Sequence, residues 1–190
     1  MFPGFELPPD REEKIKRGEA KGWYRAGYNI SYSSSKINRL MSSRKVYFML
    51  SFDFSFEYDD NTVWFAYAIP YTFTKLSKFI ESIDENPYIQ VSQLCKSLSG
   101  LDVPLITLTN FEMDDENKEY IVISARVHPG ETHGSWMMEG FISYLLSNAK
   151  SAKFLRDSVL FKIIPMLNPD GVVVGNSRVA LAGNDLNRKY

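Results

Sequence analysis

Cysteine occurs once in this sequence, at Cys95, so no disulfide can form within the chain. A small secreted scaffold stapled by bridges is thereby excluded, and a reducing compartment suits the chain. Histidine occurs twice, at His128 and His133, which confines any imidazole chemistry to those positions. Charge of one sign is also lacking: 22 Lys and Arg against 23 Asp and Glu leave a net charge of −1. Without a basic tract or aromatic-basic interleaving, nothing favours nucleic acid as a partner. No apolar run approaches the ~18 residues of a membrane-spanning helix. The first 17 residues carry Pro3, Pro8, Pro9 and many charges where a signal peptide would need an apolar stretch. Internal repeats and low-complexity segments are missing as well.

What is present suits one domain, or one domain plus part of another: 190 residues, 44% hydrophobic and 24% charged. Residues 1–19 are polar and proline-containing and read as an exposed arm. From Gly22 the pattern becomes aromatic and β-branched. Strands are expected over 23–30, over 45–58 with alternation at Phe52, Phe54, Phe56 and Tyr58, and over 62–69 after the Asp59-Asp60-Asn61 turn. Three strands with short connections predict an antiparallel layer, and so much aromatic surface needs a second layer to cover it.

At Pro70 the period changes from two to 3.6. Leu76, Phe79, Ile80 and Ile83 mark one helical face, with Thr72 or Thr74 as cap. Asn86-Pro87 predicts a second helix, with Val91, Leu94, Cys95 and Leu98 on its apolar face and Gly100 at its end. Strands follow over 105–111 and 120–127. A helix then buries Met137, Met138, Phe141, Ile142 and Leu145, and a doubly covered strand spans 158–167. The alternation predicts an α/β layer, with a domain boundary near residue 70.

The chemistry concentrates at Arg126-Val127-His128-Pro129-Gly130-Glu131. An imidazole and a carboxylate three residues apart, at the carboxyl end of a strand, supply two-thirds of a His2Glu zinc site. Pro129 and Gly130 supply the bend that turns both side chains toward one ion. His133 reads as a polar residue near the site, and Arg126 as the end of the strand. Cys95 reads as core, and Asp114-Asp115-Glu116 as a solvated turn.

Downstream come Asn168-Pro169-Asp170-Gly171, Gly175-Asn176-Ser177-Arg178 and Asp185-Leu186-Asn187-Arg188. With His128-Pro129-Gly130-Glu131, this ordered set resembles the zinc carboxypeptidase (M14) family. It is most similar to the cytosolic carboxypeptidase branch, whose members trim glutamate from protein tails. Gly22-Trp23-Tyr24-Arg25-Ala26-Gly27 and the 68–74 segment resemble the β-sandwich domain and junction of that branch. The resemblance implies a partial carboxypeptidase-like mixed α/β sheet with flanking helices over 71–190. A partial antiparallel β-sandwich over 1–70 would precede it. It implies one zinc ion held by His128 and Glu131, with Arg178 stabilising the oxyanion and Asn187 and Arg188 gripping the substrate's terminal carboxylate. The partner it implies is a glutamate-rich, tubulin-like tail, met in the cytoplasm or at the cytoskeleton; membrane is not expected, and the oligomeric state stays open. The third zinc ligand and the general-base glutamate of the family are expected beyond residue 190. The chain is accordingly expected to be an internal piece of a longer enzyme, inactive alone. The alternatives are a non-catalytic binder of acidic tails and another zinc hydrolase on the same scaffold.

Overall fold

The computed structural model of the chain describes Glu13 and residues 22–38, 46–56, 59–60 and 62–189. The arm expected over residues 1–19 therefore lies outside the described residues, Glu13 aside. The described residues separate into two units that divide between Phe65 and Ala66.

In the first unit, β1 (Tyr28–Asn38) pairs antiparallel with β2 (Val46–Asp53). Asn29 takes a left-handed backbone (φ 50°) and its amide donates to Asp53 Oδ2 at 2.8 Å, closing one end of the pair. Tyr32 stacks on Phe48 across the strands, with ring centroids 5.3 Å apart. The third strand expected over 62–69 does not form among the described residues. Phe65 packs edge-on against Phe54, with ring centroids 5.0 Å apart, so its segment is held by ring contact and not by a ladder. The described residues thus show a two-stranded sheet where a sandwich was expected.

The second unit holds a mixed sheet of order β3-β4-β6-β5, from β3 (Ile89–Lys96), β4 (Asp102–Leu108), β5 (Glu119–Ser124) and β6 (Val159–Ile164). β5 and β6 run parallel; the other neighbours are antiparallel. α1 (Phe73–Ile83) begins where Thr72 Oγ1 accepts from Lys75 N at 3.0 Å, as its sequence requires. α2 (Thr132–Leu145) and α3 (Lys150–Ser158) follow. Met138, Ile142 and Leu145 from α2 and Phe79, Ile80 and Ile83 from α1 pack on Ile106, Leu108, Phe161 and Ile163 of the sheet. Full burial of each such side chain contributes roughly 1.5–3 kcal/mol. Met137, expected on the buried side of α2, is 71% exposed, because the next residue along a helix is turned by ~100°.

The helix expected after Pro87 is a strand. Asn86 Oδ1 accepts from Tyr88 N at 3.1 Å, a side-chain turn that stops there instead of opening a helix. Ile89 and Val91 then alternate with Gln90 and Ser92, and only the first two join the core. Gly100 (φ 88°) closes the β3–β4 hairpin, its N–H on Ser97 O at 3.0 Å. Cys95 is exposed on β3 and is not core. Among the described residues, no helix is long and apolar enough to cross a membrane.

Candidate functional site

β5 and β6 lie side by side and parallel, so the chain leaves both at the same edge. There, Ala125 N donates to Ile164 O, and Leu167 N donates back to Ala125 O, both at 2.9 Å. This places the 126–131 loop beside α4 (Pro169–Val174) at the carboxyl ends of the strands, where α/β sheets position ligands. Asn168 caps α4 through Gly171 N (3.0 Å), and its Nδ2 donates to Val127 O (3.1 Å). Gly171 lies against Pro129, and a Cβ at 171 would collide with that ring. Asp170 is buried and accepts from Ser97 Oγ at 2.6 Å, Ser99 Oγ at 2.5 Å and Ser99 N at 3.2 Å. Its burial alone would raise its pKa; the two hydroxyls and the backbone donors outweigh that and hold it below the usual carboxylate range. The 168–171 turn thus ties the β3–β4 hairpin to the His128 loop.

Within that loop, Gly130 N donates to Ser177 O at 2.7 Å, so the segment before Arg178 is laid directly on it. A Cβ at 130 would come within 2.7 Å of the same oxygen, which is why glycine stands there. His128 is buried, and Glu131 occupies the cap position of α2 without capping it. Instead the Glu131 carboxylate faces the imidazole: His128 Nδ1 and Glu131 Oε1 are 2.9 Å apart. The other ring nitrogen, Nε2, lies 3.2 Å from Asp185 Oδ1. A carboxylate on Nε2 fixes the ring and directs Nδ1 toward Glu131, the arrangement in which a histidine serves a metal through its remaining nitrogen.

Asp185 is shared. Its Oδ2 accepts from Arg178 Nε at 2.7 Å, and its Oδ1 also accepts from Asn187 N at 3.0 Å. Partial burial of this carboxyl raises its pKa, but bonds from Arg178, His128 and Asn187 prevail and keep it below the usual range. Arg178 is half exposed, and its bond to Asp185 uses one of five N–H donors. Arg188 is exposed in the short 3-10 turn Leu186–Arg188 and donates to Asn187 O at 2.8 Å. The structure therefore joins His128 to Arg178 through Asp185 and pairs Glu131 with the other side of the His128 ring, with Asn187 and Arg188 on the turn that Asp185 starts.

Two residues carry more here than their sequence context suggested. Asp185 stands at the head of Asp185-Leu186-Asn187-Arg188, but only the fold brings it to His128. Arg126 does not merely end the strand: it is buried in a left-handed backbone (φ 59°) and braces the loop through Pro129 O at 2.8 Å. Burial pushes its guanidinium pKa down, while Tyr67, Tyr71 and Glu131 push it up. His133 is exposed in the first turn of α2.

An imidazole nitrogen oriented by a carboxylate, facing a half-exposed glutamate, fits two positions of a His2Glu centre. Among the described residues, no group of three His, Cys, Asp or Glu side chains is arranged to hold a metal ion.

Comparison with known proteins bears on this geometry. Residues 76–190 match the zinc carboxypeptidase family. Human cytosolic carboxypeptidase 2 is 44% identical over 176 residues, covering 89% of this chain and 19% of that protein. Mouse cytosolic carboxypeptidase 3 is 39% identical over 183 residues, covering 94% of this chain and 18% of that protein. The chain thus spans about a fifth of the length of the curated relatives it matches. Among solved structures, a Burkholderia cenocepacia metallo-carboxypeptidase superposes with a TM-score of 0.60 at 35% identity, covering 64% of this chain and 33% of that one. Carboxypeptidase A of Helicoverpa armigera, at 18% identity and a TM-score of 0.52, shares the fold over 63% of this chain and 33% of that one.

Proposed function

The chain belongs to the zinc carboxypeptidase family, and we propose from this premise that it forms part of a zinc-dependent metallocarboxypeptidase acting on glutamate-rich protein tails. The observation that carries the reading is the His128–Glu131 pair, with Asp185 on the far side of the ring. His128 and Glu131 hold the zinc in this reading. When bound, zinc acts as a Lewis acid and lowers the pKa of its water. The third ligand and the general base are assigned to residues downstream of 190. Residues 71–190 then form the first half of the catalytic domain, and residues 1–70 a preceding β-sandwich-like domain.

The chain's own groups have distinct tasks. Arg178, held through Nε by Asp185, offers its remaining N–H donors to the oxyanion of the attacked carbonyl. Loss of one such donor typically costs ~3 kcal/mol of transition-state stabilisation. Arg188 and Asn187 bind the free carboxylate of the substrate end, which a guanidinium recognises with two parallel hydrogen bonds. A preference for C-terminal or branch glutamates, a tubulin-like partner and action at the cytoskeleton are carried over from the motif resemblance alone, while relatives named cytosolic carboxypeptidases support action in the cytoplasm.

The test is a peptidase assay on the natural gene product that carries these residues, with peptides ending in glutamate. The expected result is glutamate release that a zinc chelator stops and that Arg188→Ala weakens. Binding of the same peptides without release would favour the second reading, a non-catalytic binder of acidic tails. Neither release nor binding would remove both.

A further inference from the structure

The metal donors rest on a residue that the chemistry does not use. Arg126 is 5% exposed, and its backbone sits in the left-handed region (φ 59°) that favours glycine. A buried cation in strained backbone persists only where its surroundings over-determine it. Here they do. Nε donates to Pro129 O at 2.8 Å, Nη1 donates to Tyr71 O at 3.1 Å, and Nη1 donates also to Ser135 Oγ at 2.8 Å. One guanidinium therefore joins three segments: the loop between His128 and Glu131, the strap before α1, and the first turn of α2. The strap has a second tie to α2, from Trp136 Nε1 to Ile69 O at 3.2 Å. Arg126 O in turn accepts from Asn168 N at 3.3 Å, which links the same residue to α4.

His128 comes from the loop and Glu131 from the cap of α2, so their separation depends on how the loop meets the helix. The guanidinium crosses that joint. We infer that Arg126 is a positioning residue for the metal: its clamp on Pro129, Tyr71 and Ser135 sets the His128–Glu131 donor spacing before metal arrives. The inference rests on the reading of His128 and Glu131 as zinc ligands, and it adds a residue that touches neither donor nor substrate. Glycine would satisfy the backbone at 126 without strain, so an arginine there marks a function for its side chain.

The experiment is zinc affinity of the full chain by competition with a zinc indicator dye, alongside the thermal midpoint. Wild type is compared with Arg126→Gly, Arg126→Lys, Ser135→Ala and His128→Ala. Arg126→Gly relieves the backbone and removes the clamp. It should weaken zinc about tenfold, the scale at which outer-shell partners act on metal sites, while the midpoint stays within a few degrees. Arg126→Lys, which keeps the charge and can reach fewer acceptors, should recover part of that loss. A purely structural arginine would instead move the midpoint and leave the affinity of the folded protein alone. If Arg126→Gly does not fold, Ser135→Ala decides, since it frees the guanidinium from α2 only; a loss of about threefold supports the inference and wild-type affinity overturns it. Wild-type affinity in folded Arg126→Gly also overturns it. His128→Ala separates the two readings. If it binds zinc as wild type does, the metal site falls and the inference with it; if it loses zinc while Arg126→Gly does not, only the inference falls.

Discussion

The β1–β2 pair and the four-stranded sheet are both rich in apolar strand residues, yet they bury them very differently. Tyr28, Ile30, Tyr32, Phe48 and Leu50 of the pair are each more than half exposed, while Ile106, Leu108 and Ile163 of the sheet are 0% exposed. Strand length does not explain it: β1 has 11 residues, whereas β6 has 6. What differs, among the described residues, is a second layer: α1, α2 and α3 pack on one face of the larger sheet. Hydrophobic content specifies that a surface wants cover; helices close in sequence decide whether it gets it. The candidate site goes with the covered sheet: His128 and Glu131 follow β5, and Asp185 brings Arg178 to the His128 ring.

The contrast can be broken by substitution. The largest expected effect is at Ile142, at 0% exposure beneath the sheet. Ile142→Ala should destabilise the chain by ~2–5 kcal/mol in equilibrium denaturation. Next comes Asp170→Asn, which weakens the bonds from Ser97 and Ser99 that tie the hairpin to α4. A loss of ~1–3 kcal/mol is expected near neutral pH. The pH dependence has a definite sign. Asp170 has a folded-state pKa below its unfolded value of ~3.9, so its contribution is complete above that value and is lost as pH falls through the lower folded value. Stability measured from pH 6 to pH 2 should therefore fall more steeply for wild type than for Asp170→Asn over the acid part of that range. The smallest effect is expected at Leu50, 57% exposed on β2. Leu50→Ala should stay within ~0.5 kcal/mol of wild type. Equal costs for Leu50→Ala and Ile142→Ala would erase the distinction between the two sheets.

Much of the covered unit was legible in the sequence, for identifiable reasons. Thr72 followed by Leu76, Phe79, Ile80 and Ile83 names a capped amphipathic helix, and the fold places α1 there. The 87–98 segment misled because Val91, Leu94, Cys95 and Leu98 fall at helical spacing while Ile89 and Val91 also fit a strand; pairing with β4 decides between them. α3 escaped notice because its Lys150–Ser158 segment is mostly polar. Its buried Arg156 stacks over Tyr88 at 4.3 Å and donates to Ser147 O at 3.0 Å, bonds no local pattern announces. At the site, His128 and Glu131 could be paired from a spacing of three. Asp185 lies 57 residues from His128 and Tyr71 lies 55 from Arg126, so the supporting contacts exist only once the strands are assembled.

We propose that His128 and Glu131 form a zinc half-site, prearranged in the loop that follows β5. The most direct measurement is zinc K-edge X-ray absorption on the zinc-loaded chain, with His128→Ala as reference. The expected spectrum has imidazole scattering from one histidine nitrogen at ~2.0–2.1 Å beside a carboxylate oxygen at ~2.0–2.2 Å, with the imidazole signal lost in the variant. A spectrum of oxygen neighbours alone, identical in wild type and His128→Ala, would contradict it.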